Sequence, residues 1–228
     1  MHKKHVLHII TRLDPGGSAT NTIETVARLD RTKFEPFLIS GLTKDTDGSI
    51  EASLKNKGVT YAFFPDLQRE IHFGKDIRAF FQLYSFMKQQ HFDIVHTHTS
   101  KAGILGRWAA KCAGVPVIIH TPHGHIFYGY FSKFLTSIFI GIERLTAGIT
   151  DKIITLTDRG RKEHLDFKIA PPSKFVRIYS GIDINPVTSH PVLKEHLKKQ
   201  WVLNDKDFIF GSVGRLDPIK GITHIGHP

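Results

Sequence analysis

Short apolar runs alternate with longer stretches in which apolar residues recur every three or four positions, the pattern of strands followed by amphipathic helices. Residues 6–10 form the first run and lead into the loop Asp14-Pro15-Gly16-Gly17-Ser18. The spacing predicts a helix over 19–29, with Ile23, Val26 and Ala27 on one face, then a strand over 36–40. A short helix over 49–56 ends near Gly58, a C-cap residue, before a strand at 59–63. Residues 74–90 carry a long helical stripe of Ile77, Phe80, Phe81, Tyr84 and Met87. Strands at 93–97, 115–121, 152–156 and 175–179 alternate with helices at 100–113, 131–150 and 158–166.

Repeated strand-helix-strand units predict an α/β fold, a Rossmann-like parallel sheet with helices on both faces. We place this first domain at 1–184 and a polar connection, with a helix at 191–200, at 185–206. The apolar run 208–213, closing on Gly214, reads as a buried strand that opens a second domain at 207–228. Nothing after it supplies the helix and further strands such a strand needs, so the expectation is a second domain cut short.

The formal charge of +10 suits nucleic acid, an anionic membrane surface or phosphorylated ligands. The basic residues are scattered and form no nucleic-acid-binding motif, so nucleic acid is not an expected partner. A single cysteine, Cys112, excludes an intramolecular disulfide and agrees with a cytoplasmic location. The apolar run at the N-terminus soon meets Arg12, Asp14 and Pro15, which suits a strand better than a signal peptide. The most apolar stretch, 131–149, holds Lys133, Glu143 and Arg144, so it reads as a buried or membrane-surface helix rather than a span. The aromatic segment 125–139 is a core helix with its lead-in loop, a cover that closes over an apolar acceptor, or a peripheral contact with the inner face of the plasma membrane.

Four loops at strand ends can carry chemistry, because ligands of open α/β sheets bind at the C-terminal edge. Gly16, Gly17 and Ser18 lie where a helix start offers free N–H groups to an anion; the bland alternative is a tight turn capped by Ser18. His96 and His98 share a strand face, but no Asp or Glu accompanies them, so a metal site is not expected. Lys101, just beyond, is a candidate anion contact. His123, bracketed by Pro122 and Gly124, is a candidate for hydrogen bonding a sugar hydroxyl or for acid–base chemistry, with His125 beside it. Arg215 and Lys220, flanked by Gly214 and Gly221, form either a diphosphate clamp or a solvated turn.

Taken together, PGGSATN at 15–21, HTHTSKAGILGRWAA at 96–110, TPHGHIFY at 121–128, SGID at 180–183 and SVGRLDPIKG at 212–221 resemble glycosyltransferase family 4, the retaining GT-B enzymes of bacterial polysaccharide biosynthesis. The resemblance implies two Rossmann-like domains facing across a cleft, the first binding mainly a glycan or carrier-lipid-linked acceptor. The second would bind a UDP- or GDP-sugar, with no cofactor and no metal. It also implies that Arg215 and Lys220 hold the donor diphosphate, that Gly16 and Gly17 line the cleft near the phosphates, and that His123 lies near the transferred sugar. His98, Lys101 and His125 fall on the acceptor side. The family's acidic E-x7-E region is missing, so the chain alone is expected to lack normal transferase activity. Two other readings follow from the residues: a non-catalytic acceptor module acting with a separate second half, and an unrelated Rossmann-like nucleotide-binding protein.

Overall fold

The computed structural model describes residues 2–43, 48–124, 132–181, 191–201, 204 and 206. The chain falls into two compact units, 1–180 and 181–228. In the first, β1 (Lys4–Ile10), β2 (Phe34–Ser40), β3 (Thr60–Phe63), β4 (Ile94–His98), β5 (Val117–Thr121), β6 (Lys152–Thr155) and β7 (Phe175–Arg177) form one sheet. Its order is β3-β2-β1-β4-β5-β6-β7, and every pairing is parallel. The connecting helices are α1 (Gly17–Ala27), α2 (Ser49–Asn56), α3 (Phe73–Gln90), α4 (Ser100–Ala113), α5 (Lys133–Gly148) and α6 (Asp158–Asp166). In the second unit the described element is helix α7 (Pro191–Gln200); the strand expected at 208–213 lies outside the described residues.

The chain winds outward from β1 to β3, crosses back, and winds outward again from β4 to β7. Right-handed crossovers then put α1 and α2 on one face and the later helices on the other. The core divides accordingly. Leu7, Ile9 and Val95 pack with α3 and α4 around Ala79, Leu83 and Ala109. Ile10 and Leu38 point the other way, to Ile23, Val26 and Leu54 of α1 and α2. A third cluster joins α5 and α6 through Ile140, Ile153, Ile169 and Phe175.

The central helix α4 lies unusually near the sheet. A Cβ on Gly103 would come within 2.5 Å of the His120 ring, and one on Gly106 within 2.8 Å of Thr97. Both helical glycines therefore exist for close approach, despite their cost in a helix interior. Arg107, directly after Gly106, is fully buried. Its guanidinium donates to the Gly103 carbonyl at 2.8 Å, Thr150 Oγ1 at 3.2 Å and Glu143 Oε2 at 2.8 Å, tying α4 to α5. A buried charge requires such pairing.

Two expectations change. The stripe on α3 does not turn inward as one. Ala79, Leu83 and Met87 face the core, while Ile77 and Phe81 are exposed. At 3.6 residues per turn, Ile77 and Phe81 fall on the opposite side of the helix from that buried row. Helix α5 is also not a core helix along its whole length. Its start exposes Phe134, Leu135 and Ile138, and burial begins at Ile140. The described part of the aromatic segment thus meets solvent.

Two glycine substitutions test this packing. A Cβ on Gly41 would lie 1.8 Å from the Leu67 carbonyl oxygen and 2.4 Å from that of Thr11, both backbone. Gly41→Ala is expected to cost about 3 kcal/mol or more in urea unfolding. Gly141, in α5, has nothing within 4 Å of such a Cβ, so Gly141→Ala should gain about 0.5–1 kcal/mol. Equal midpoints for the two variants would contradict this account.

Candidate active site

The strand order reverses between β1 and β4, and the crevice at their C-terminal ends is where ligands of such sheets bind. The loops after β1, β4 and β5 meet this edge. The first carries Gly16-Gly17-Ser18. Gly16 is the N-cap of α1 and makes no side-chain cap hydrogen bond, and the first turn has no acidic residue. Ser18 is therefore not the cap; it is helical, and its carbonyl accepts from Thr22 Oγ1 at 2.8 Å. A Cβ on Gly17 would meet nothing within 4 Å. The protein's own packing does not demand glycine there, and the helix start stays open to an anion.

Beside this loop lies a connected set of imidazoles. Register pairs His8 of β1 with His96 of β4, and Ile10 with His98 and then Thr121. His8, His96 and His98 thus share the α1 face of the sheet. His98 Nε2 is 3.1 Å from His8 Nδ1, and His98 Nδ1 is 2.9 Å from His123 Nε2. The His96 and His98 rings lie 4.2 Å apart, and His96 Nε2 bonds Thr121 Oγ1 at 2.8 Å. On the opposite face His120 bonds Thr97 Oγ1 at 2.9 Å. Burial drives the pKa of His8 down to about 3 and that of His123 to about 4. It also holds His96, His98 and His120 well below 6.5, helped by the neighbouring imidazoles and, at His120, by Arg107. All five are neutral in the folded protein.

The backbone is strained at the same edge. Thr99, the N-cap of α4, has φ 66°, and His123 has φ 56°. Such values are uncommon for non-glycine residues and cluster at functional sites. Thr11 holds the first of these turns, contacting Thr99 Oγ1 at 2.8 Å and accepting from the Ala102 N–H at 3.3 Å.

The structure thus joins His98 to His123 directly and sets Gly16, Gly17 and Ser18 on the same edge. Lys101 is engaged elsewhere. It pairs with Asp76 of α3 at 2.5 Å and donates to the Glu70 carbonyl. His125, Arg215 and Lys220 lie outside the described residues. His8 is the member that motif reading missed; its signal is one polar residue inside the otherwise apolar run of a central strand. His8, His96 and His98 have ligand nitrogens within 4.8 Å of one another. A metal bound through His8 Nδ1 and His98 Nε2 would displace the hydrogen bond between those two atoms. Among the described residues, no helix is long and apolar enough to cross a membrane.

This arrangement defines a Rossmann-like α/β unit with its ligand edge at the β1–β4 switch point. The chain belongs to Glycosyltransferase Family 4, whose sequence profile matches residues 15–186. It is 36% identical over 160 residues to the UDP-Gal:alpha-D-GlcNAc-diphosphoundecaprenol alpha-1,3-galactosyltransferase of Escherichia coli, covering 69% of this chain and 41% of that protein. Among solved structures, it superposes on Anabaena HepE, determined in complex with UDP and glucose, with a TM-score of 0.72 at 19% identity. That match covers 98% of this chain and 56% of HepE. A putative UDP-N-acetylglucosamine 2-epimerase of Listeria monocytogenes gives 0.59 at 16% identity, over 77% of this chain and 45% of its own. The chain thus spans about half the length of these relatives. The fold alone is shared by transferase and epimerase; the family match separates them.

The buried imidazoles make stability depend on pH. In the unfolded chain all five titrate near 6.5, whereas the folded protein keeps them neutral. Their contribution is complete above that pH and is lost as pH falls, by up to about 1.4 kcal/mol per pH unit for each. The loss continues to roughly pH 4, where His123 begins to take a proton in the folded state. The melting temperature should therefore drop steeply between pH 7 and pH 5, before most carboxylates titrate. A flat profile over that range would show that these imidazoles are not buried neutral.

Proposed function

We propose that this chain is the acceptor-side part of a retaining glycosyltransferase. It serves transfer of a sugar from a UDP-sugar to a carrier-lipid-linked glycan in polysaccharide biosynthesis, at the inner face of the cytoplasmic membrane and without a metal. The similarity to the E. coli galactosyltransferase carries the reading, because that enzyme's name specifies a UDP-sugar donor and a diphosphoundecaprenol-linked acceptor. The role for a UDP-sugar also agrees with the HepE complex with UDP and glucose.

A surface feature supports the lipid-linked acceptor. Between α3 and α4 runs a groove of about 310 Å³, lined by Ile71, Phe73, Ile77, Phe80, Phe81 and Leu105 with Asp76. Phe73 is 81% exposed and Ile71 75%. Exposed apolar surface of this kind marks a binding site for an apolar ligand or a membrane. The Asp76–Lys101 pair closes the polar end, beside the start of α4. A prenyl tail lying in the groove leaves its diphosphate and sugar at the strand ends. There the open start of α1 stands by the donor phosphates and His123 by the transferred sugar. Arg215 and Lys220 are assigned to the donor diphosphate, and His98 and His125 to the acceptor side.

Calorimetry with two probes tests this reading. The chain should bind a GlcNAc-diphosphate bearing a short prenyl tail about tenfold more tightly than the tail-free compound. Phe81→Asp should remove that difference, and a chelator should leave both affinities unchanged. Equal affinities of the unaltered chain for both probes would overturn the lipid-linked reading. A loss of both on chelation would overturn the metal-free one.

A further inference from the structure

The three imidazoles of His8, His98 and His123 form a single hydrogen-bonded chain with one buried end and one open end. Each neutral imidazole has one N–H and one lone pair, so the chain has only two proton arrangements. In one, His8 Nδ1–H donates to His98 Nε2, His98 Nδ1–H donates to His123 Nε2, and the remaining hydrogen lies on His123 Nδ1. In the other every bond is reversed, and His8 Nε2 carries the hydrogen at the buried end.

The buried end decides between them. His8 Nε2 is buried and has no hydrogen-bond partner. As a bare lone pair it is an unused acceptor, whereas as an N–H it would be an orphaned buried donor, the rarer defect in folded proteins. Water at the open end satisfies either arrangement and expresses no preference. We propose that the buried terminus at His8 fixes the direction of the chain, so that His123 presents Nδ1–H as a hydrogen-bond donor to an oxygen of the bound substrate. His8 and His98 are positioning residues, and His123 is the group that meets ligand.

The consequence is a choice between two roles open to His123. A lone pair at Nδ1 would suit a base that removes a proton. An N–H at Nδ1 suits stabilisation of an acceptor oxygen in a sugar or phosphate, and the chain behind it strengthens the contact by polarisation. Accepting a proton instead would require all three rings to reverse. This role for His123 rests on the glycosyltransferase reading, but the direction of the chain does not.

Nitrogen-15 NMR of labelled histidine in the ligand-free 228-residue chain reads each ring's tautomer directly. The expected spectrum has His8, His98 and His123 all protonated at Nδ1 and bare at Nε2. His123 protonated at Nε2 would overturn the proposal. His98→Leu removes the middle link and should turn His123 into a mixture of tautomers; an unchanged His123 signal in folded His98→Leu would also overturn it. Should that variant fail to fold, the unaltered chain's spectrum still decides. One zinc retained per chain, with metal-shifted nitrogens on His8, His96 and His98, would replace the hydrogen-bonded chain by a metal site and sink the proposal. Because no substrate is present, failure here leaves the glycosyltransferase reading standing, and failure of acceptor binding leaves the tautomer result standing.

Discussion

The close seating of α4 on the sheet is the constraint from which the ligand edge follows. Gly103 and Gly106 let the helix backbone come down against His120, Thr97 and Ile9, with Ala102, Ala109 and Ala110 filling the same buried face. At interior packing density a single methyl group on that face has nowhere to go. The helix spans β1, β4 and β5, so its depth fixes how those strands present their ends. Arg107 then locks the helix to α5, using a charge that is tolerable only because Glu143, Thr150 and the Gly103 carbonyl accept from it. Seated this deeply, α4 must begin in a cramped turn, and Thr99 takes a positive φ to make it.

The strain at Thr99 and at His123 is held by local bonds. Thr11 engages the first turn, and the Thr99 N–H donates to the Thr121 carbonyl at 3.2 Å, linking the two loops. His98, one residue before Thr99, grips His123 through its ring. The edge therefore behaves as a prearranged unit in which the loops after β4 and β5 support each other. Prearrangement of this kind keeps polar groups aimed at a ligand without reorganisation when it arrives.

Much of this was legible in the residue pattern. The alternation of runs and stripes located every strand of the first unit within a few residues, because buried parallel strands are continuous apolar runs. The glycine loop, His98 and His123 were legible because they follow strands, where an α/β fold binds ligands. His8 was not, because its partner lies 90 residues away and only the β1–β4 register brings them together. For the same reason the absence of an acidic residue near His96 and His98 says little about what surrounds them. The outward turn of Phe81 and Ile77 was also hidden: an apolar stripe records which residues are apolar, not which arc of the helix finds a partner. Lys101 looked available for an anion because Asp76 is distant in sequence and adjacent in space.

The two faces of the sheet divide the work. The imidazoles of His8, His96 and His98 occupy the α1 face, alternating along β1 and β4 with residues that point to α3 and α4 on the other face. The apolar groove lies on the opposite side, between α3 and α4. A wholly polar sugar ligand would leave that groove bathed in water, and a wholly apolar one would leave the imidazoles and the open start of α1 unused. A molecule with a charged, hydroxyl-bearing head and a hydrocarbon tail satisfies both, provided the junction falls at the strand ends. On the proposed reading, the Lys101–Asp76 pair marks that junction. It pairs the Asp76 carboxylate, which lines the groove, with a cation. On the same proposed reading, Lys101 serves the acceptor by cancelling a repulsion rather than by contacting the anion itself.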